Sequence, residues 1–327
     1  MLSRFNPACK RPETFLIDRK NEYRLLPDIY LPSPLPESPN GFHHLTLIDG
    51  ELVNDRERNG KTVLRFLAFD LLSIDGRSMI NKPFTSRQGH LRTNVVEPFK
   101  AWYKKKNTIP SLEILAKVME LSYGMIHILK EQVPHLKHKS DGLIFTSVQG
   151  VYVTGTCNTM LKWKPPNENS VDFKLKIEGQ GASQVPRFRL AIWKGGDNYE
   201  IVDEMGVTAS EWRQFKSMYG PKVESRLQDR IVEVSWDADH CPPHSWRFMR
   251  FRDDKLHGNH VSVLEKIRKS IADNIGIEML EQECPDIRSC WKQREAKAKM
   301  QAQAASSKST IAQPNSHTNQ TASAPAP

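Results

Sequence analysis

Residues Ser140 to Pro166 read SDGLIFTSVQGVYVTGTCNTMLKWKPP and hold two apolar runs, Asp141 to Val148 and Thr159 to Lys164, joined by a loop rich in Gly and Thr. That layout predicts a long hairpin. Side chains alternate along a strand, so Lys162 and Lys164 share one face and Leu161 and Trp163 the other. Two ammonium groups on one face repel unless a polyanion lies between them, and the polyphosphate of a nucleotide meets that need. A strand whose outer face is merely solvated satisfies the same spacing.

The composition narrows the classes. With 327 residues, 38% hydrophobic and 26% charged, the chain can bury two globular cores. Its net charge of +9 favours an anionic partner such as nucleic acid or nucleotide phosphate. Cys9, Cys157, Cys241, Cys284 and Cys290 are odd in number and form no CxxC pair, so neither a disulfide framework nor a zinc module is indicated. His240, Cys241 and His244 lie close together, but Pro242 and Pro243 intervene and a fourth ligand is lacking, which favours a loop. No apolar run is long enough to span a bilayer, and no signal-peptide layout opens the chain, so the expectation is a soluble intracellular protein without a membrane partner.

Taken in order, Met1 to Thr14 shows no period, Phe15 to Asn21 reads as a strand, and Pro27 to Pro39 as a proline-fixed surface loop. Strands are expected over Leu45 to Ile48 and Glu51 to Val53 about a turn at Asp49-Gly50, then over Val63 to Leu72 after a turn at Asn59-Gly60. Helical spacing follows at Leu91, Val95, Val96, Phe99 and Trp102, again from Ser111 through Leu115, Val118, Met119 and Ser122 with Ser111 as N-cap, and over Ile126 to Val133 up to Pro134. Short strands at Phe188 to Trp193, Tyr199 to Val202 and Ile231 to Trp236, with a helix near Ser210 to Tyr219, suggest a small OB-type barrel. Gly179 and Gly181 make a bare GxG, read as a linker. Leu264, Ile267, Ile271 and Ile275 mark one amphipathic helix, and the Ala-, Ser-, Thr-, Gln- and Pro-rich tail from Ala302 to Pro327 is expected to be disordered.

FLIDRK at Phe15 to Lys20, IDGELV at Ile48 to Val53, FLAFDLL at Phe66 to Leu72, SDGLIF at Ser140 to Phe145, LKWK at Leu161 to Lys164 and WRFMRFRDDK at Trp246 to Lys255 follow one another in this order. Together they resemble the covalent nucleotidyltransferases, the superfamily of mRNA capping guanylyltransferases and polynucleotide ligases. The RxDK ending of Arg252, Asp254 and Lys255 is similar to the fungal capping type. The resemblance spans Phe15 to about Ile277 and implies an α+β chain. Residues 1–173 would be a ligase-type (ATP-grasp-like) nucleotidyltransferase domain of antiparallel sheets and helices, and 174–258 an OB-fold barrel. Residues 259–283 would be a C-terminal helix packed on the body, and 284–327 a basic, then low-complexity, disordered tail.

The chemistry so implied is transfer of GMP from GTP through a lysyl-GMP phosphoramidate to the 5′-diphosphate end of RNA. Lys162 and Lys164 would meet the α-phosphate, Glu51 the ribose hydroxyls, Arg19 sugar or phosphate, and Phe69 the guanine ring. Asp141 would help hold Mg²⁺ or Mn²⁺, while Arg252, Asp254 and Lys255 would close over the β and γ phosphates. Implied partners are RNA, a separate RNA 5′-triphosphatase subunit and the phosphorylated tail of RNA polymerase II, and the implied compartment is the nucleus. Each residue has a plainer reading: Phe69 as core, Glu51 as a turn flank, Arg247, Arg250 and Arg252 as a solvated or RNA-facing edge, Asp254-Lys255 as a surface ion pair.

The family's nucleophile belongs to a KxDG motif upstream of the FLIDR-like strand, and residues 1–14 hold none. Lys10 is followed by Arg-Pro-Glu, and Lys139-Ser140-Asp141-Gly142 spells KxDG but leads into the LIF strand. The expectation is therefore a chain missing its N-terminal part, by fragment or gene-model error, with an exposed sheet edge, an open core and no adduct-forming activity. A non-catalytic RNA- or polymerase-binding remnant and an ATP-dependent ligase are the alternatives.

Overall fold

The computed structural model describes residues 1–180 and 185–310. Three antiparallel strands open the chain, β1 (Leu2–Asn6), β2 (Arg11–Ile17) and β3 (Tyr23–Leu26), and β1 pairs on its other side with β4 (Thr46–Arg56). The first residues, which carry no period, thus lie inside the sheet. β4 runs antiparallel to β5 (Thr62–Ile74), whose end pairs with β6 (Arg77–Ser78), giving the order β3-β2-β1-β4-β5-β6. The run Phe66-Leu67-Ala68 is buried throughout, as a strand covered on both faces must be.

A continuous helical segment covers this sheet: α1 (Phe84–His90), a π-helical stretch over Leu91–Val96, and α2 (Glu97–Lys106), ended by Asn107 in the left-handed conformation. Leu91, Val95, Val96 and Phe99 of the expected stripe are buried in one core with Ile29, Leu31, Ile48, Leu71 and Ile114.

Two sequence expectations fail here. Residues expected as a helix from Ser111 form β7 (Glu113–Ala116), which adds to β5 in parallel. Leu112 and Ile114, two apart, are the buried residues, and Ser111 donates to Asp28 Oδ1 at 2.8 Å instead of capping a helix. Asp49-Gly50 is likewise no turn. It sits within β4 at a register shift, where a Cβ on Gly50 would stand 2.3 Å from the Phe66 ring, so the glycine serves close approach between strands. The turn at Asn59-Gly60 forms as expected, with Gly60 at φ +80°.

The helix expected over Ile126 to Val133 begins as α3 (Met125–His127), continues as π-helix over Ile128–Gln132 and ends in a 3-10 turn, Val133–His135, that includes Pro134. The hairpin follows as a separate two-stranded sheet, β8 (Leu143–Phe145) and β9 (Leu161–Trp163). A 3-10 turn, Pro166–Glu168, leads out of it.

The second layer is a closed five-stranded barrel. Its elements are β10 (Ser170–Gln180), β11 (Pro186–Gly195), β12 (Asn198–Gly206), α4 (Ala209–Tyr219), α5 (Val223–Leu227), β13 (Ile231–Cys241) and β14 (His244–Phe251). The order β10-β11-β12-β14-β13, with β12 and β14 parallel and helices between the third and fourth strands, is OB topology. Trp246 is fully buried at its centre and donates to Asp203 Oδ2 at 2.9 Å. The barrel starts at Ser170, not 174, because Ser170 to Lys174 pair with Ile231 to Ser235.

One expected C-terminal helix is two. α6 (Val261–Asp273) buries Leu264 and lays Ile267 and Ile271 on the barrel, while Ile275 lies beyond its left-handed cap Asn274. α7 (Ile277–Thr310) then occupies the start of the tail expected to be disordered. Its early turns have packing partners: Trp291 meets Tyr123 edge-on at 5.5 Å, and Glu281 pairs with Lys130 at 2.7 Å. The rest of that tail, 311–327, and Gly181 of the GxG lie outside the described residues. Among the described residues no helix is long and apolar enough to cross a membrane.

Candidate nucleotide-binding site

Gly142 lets the hairpin close. At φ +149° a Cβ there would stand 2.0 Å from the Trp163 carbonyl oxygen and 3.0 Å from Lys164 Cα, so only glycine allows β8 to lie against β9 with Ile144 opposite Lys162. Closure brings Asp141 onto Lys164, Oδ2 to Nζ 2.5 Å. The Lys164 ammonium, with help from Lys162 and against the effect of burial, holds the Asp141 carboxyl below the usual carboxylate range. Lys162 is exposed and has no ion pair among the described residues. The two lysines therefore differ: Lys164 is held by an acid and Lys162 is free for an anion. Lys139, of the KxDG coincidence, is 76% exposed and reaches Glu168 only at 3.9 Å.

The loop between β8 and β9 is anchored by residues that sequence reasoning missed. Arg87 of α1, 2% exposed, grips both Asp70 oxygens of β5 at 2.7 and 2.9 Å and donates to the carbonyls of Lys82 and Gly150 at 2.5 and 2.9 Å. Tyr152 donates to Asp49 Oδ2 at 2.7 Å, and burial together with that carboxylate pushes its phenol well up. The signal was available in Asp70, a lone charge inside FLAFDLL, which a buried strand tolerates only with a partner.

Glu51 is exposed on β4 and pairs with Lys117 at 3.2 Å. Phe69 is half-buried and lies outside the core although Ala68 and Asp70 beside it are buried, so its ring is not the core phenylalanine that its apolar surroundings favour. Arg19 sits in the exposed turn after β2, not on a strand. Lys10 is also in an exposed turn.

On the barrel, Arg252 makes a two-pronged contact with Asp254 at 2.9 and 2.8 Å and turns Nη1 to Asp172 at 3.1 and 3.3 Å. Lys255 also donates to Asp172. Asp254 is held down at about 2, chiefly by the hydrogen bond from Arg252. Arg250 joins Glu233 at 2.7 Å. So Asp254-Lys255 is no isolated surface pair. No hydrogen bond or ion pair among the described residues joins this cluster to Lys162, Lys164 or Asp141.

Residues 5–166 match the family described as mRNA capping enzyme, catalytic domain, and residues 168–281 match mRNA capping enzyme, C-terminal domain. The chain belongs to the mRNA capping enzyme family. Similar curated proteins include the mRNA-capping enzyme subunit alpha of Schizosaccharomyces pombe, 37% identical over 87% of this chain and 71% of that protein, and that of Neurospora crassa, 36% identical over 87% and 76%. The subunit of Saccharomyces cerevisiae is 33% identical over 89% and 72%. The two capping-enzyme regions meet at residue 167, inside the 3-10 turn that separates the hairpin from the barrel. The hairpin thus closes the catalytic region, and Arg252, Asp254 and Lys255 stand in the C-terminal one.

Proposed function

We propose that this chain serves as the mRNA guanylyltransferase of a capping enzyme: it takes GTP beside the hairpin and directs GMP toward the 5′-diphosphate end of RNA. The observation that carries this reading is the unequal lysine pair, Lys164 fixed by Asp141 and Lys162 unpaired, on a glycine-closed hairpin inside the catalytic region of the family.

In the reaction a lysine nitrogen bonds to the α-phosphorus, the bond to the bridging oxygen breaks and pyrophosphate leaves; RNA then displaces the lysine. Lys162 stabilises the charge that gathers on the α-phosphate oxygens, and Lys164, oriented by Asp141, supports it. Glu51 receives the ribose hydroxyls, the half-buried Phe69 ring offers a stacking face to guanine, and Arg19 reaches sugar or phosphate from its turn. Arg252 and Lys255 meet the β and γ phosphates once the barrel closes over the nucleotide, with Asp254 fixing the guanidinium. Among the described residues no cluster of three or more metal-ligating side chains exists. A single exposed carboxylate, Asp141, fits the way Mg²⁺ or Mn²⁺ is held when most of its ligands are water and substrate phosphate. When bound there, the ion would neutralise phosphate charge. The reading extends to a nuclear protein working with an RNA 5′-triphosphatase subunit and the phosphorylated polymerase tail.

One observation favours a second reading, binding without adduct formation: the sole KxDG lysine is Lys139, solvated and turned toward Glu168. Incubation with α-labelled GTP and Mg²⁺, followed by denaturation, separates the two. The first reading expects GTP binding that Lys162→Ala weakens and label retained after denaturation; the second expects the same binding and no label. Label that Lys139→Ala abolishes would overturn the second reading; absence of GTP binding would overturn the first. Labelling by ATP in place of GTP would point to ligase chemistry.

A further inference from the structure

The loop that carries Arg252 and Lys255 is held at several points, by Ile231 O accepting from Arg252 N at 2.8 Å, by Arg230 on Asp253 at 2.7 Å, and by Asp172 of β10. Gly258 lies so close that a Cβ would stand 2.6 Å from the Asp172 carbonyl oxygen. Asn259 bonds the Asp172 backbone twice, its Oδ1 accepting from Asp172 N at 2.8 Å and its N donating to Asp172 O at 2.7 Å. The loop is therefore seated by these backbone and Arg230 contacts without the Asp172 side chain. Its carboxylate does something else. It is 3% exposed, accepts from Arg252 Nη1 on both oxygens and accepts from Lys255 as well.

Arg250, Arg252 and Lys255 face Asp172, Glu233 and Asp254, with Arg252 Nη1 also 3.6 Å from Glu233. Three cations meet three anions, so the cluster is neutral as it stands and has no surplus charge with which to draw a polyphosphate. Asp254 and Glu233 have other structural duties, since Asp254 aligns both prongs of Arg252 and Glu233 takes Arg250 and Ser170. Only Asp172 spans the two cations that the reaction assigns to phosphate.

We propose that the Asp172 carboxylate is an internal counter-ion in the polyphosphate clamp, a negative specificity element that the β and γ phosphates of a nucleotide, or pyrophosphate, must displace from Lys255 and Arg252. This rests on the reading that Arg252 and Lys255 meet those phosphates. Without a nucleotide, Asp172 keeps both side chains paired. In the loaded protein the phosphate oxygens take over the Lys255 ammonium and the Nη1 proton of Arg252. Asp172 then opposes triphosphate binding through charge while its backbone holds the loop in place.

The test compares GTP, GMP and inorganic pyrophosphate binding by calorimetry in the unmodified chain, Asp172→Asn, Asp172→Glu, Arg252→Ala and Lys255→Ala. Asparagine keeps the size and both backbone bonds but removes a full charge close to the bound phosphates. The GTP-to-GMP affinity ratio and pyrophosphate affinity are expected to rise about fivefold or more in Asp172→Asn, with GMP affinity unchanged. Asp172→Glu, which keeps the charge, is expected to show no such rise. A ratio that is unchanged or falls in folded Asp172→Asn would overturn the inference, because a merely structural carboxylate would weaken binding when removed. Loss of GTP preference in Arg252→Ala and Lys255→Ala alongside that result would leave the clamp reading intact and sink only the counter-ion. No effect in those two variants would sink the clamp and the counter-ion together. A mutation-free measurement covers poor folding of the asparagine variant: the Asp172 carboxylate ¹³C resonance of the unmodified chain is expected to shift on adding pyrophosphate, and a static resonance would refute displacement.

Discussion

Gly142 and Asp75 show how single residues carry the two halves of the catalytic region. A methyl group at Gly142 meets backbone on the opposite strand at 2.0 Å in a conformation that strains any L side chain. Gly142→Ala is therefore expected to part β8 from β9, lower stability by about 2 kcal/mol and weaken GTP binding more than tenfold, read by urea unfolding and calorimetry. Binding that survives with the hairpin intact would refute this. Asp75 acts in the turn between β5 and β6. Burial would raise its carboxyl, but hydrogen bonds from His43, the His44 N–H and Ser38 outweigh that and hold it at about 2. A folded value below the unfolded one means the unfolded chain binds the extra proton, so the stability from this group is present above pH 4 and lost as pH falls from about 4 to about 2. The contribution is about 2 kcal/mol. The unfolding free energy of Asp75→Asn, followed from pH 6 to pH 2.5, should fall less steeply than that of the unmodified chain by this amount; parallel slopes would refute the assignment.

At the level of elements, the hairpin is no free arm, because α1 and β5 hold its loop through the buried pair of Arg87 and Asp70. Arg87→Ala leaves Asp70 charged and unpaired in the core, and the expected loss is about 3–5 kcal/mol by thermal or urea unfolding. Arg87→Lys should recover little of it, since one ammonium cannot span two carboxylate oxygens and two carbonyls. Full recovery by lysine would show that only charge matters there. The same pair marks where sequence reading stopped. Alternation found Lys162 and Lys164, and the helical stripe found Leu91, Val95 and Phe99, because each pattern is local. Arg87 and Asp172 gain their roles from contacts 63 and 80 residues away along the chain, and no spacing rule reports those. β7 misled for a related reason: its four residues complete a parallel edge of β5, so tertiary pairing overrode a helical spacing that was present but unused. The motifs placed the site's residue types; what the structure adds is which of them are already engaged.

For the whole molecule, the decisive element is α7, which ties the end of the barrel side back to the catalytic region. α6 lies on the barrel, while α7 meets Tyr123 through Trp291 and Arg288, and Lys130 through Glu281; Trp163 of β9 also donates to the Ile275 carbonyl at 2.9 Å. These contacts span the connection at Pro166–Glu168. The exposed ion pair contributes about 0.5 kcal/mol and the aromatic and cation–π contacts about 1 kcal/mol each. A strap of about 2.5 kcal/mol is weak against either core, so its loss should leave each unit folded and, on the proposed reading in which the barrel closes over the nucleotide, change how often it closes. Ending the chain after Ile275 is expected to leave the main unfolding transition within a few degrees of its original midpoint, because both buried cores lie outside α7. Amide hydrogen exchange across residues 123–135 should quicken about tenfold or more, the factor that losing such a contact energy implies. The radius of gyration in solution should broaden as the two units separate. Exchange and scattering that match the full chain would show that α7 rides on the surface without tying the two regions together.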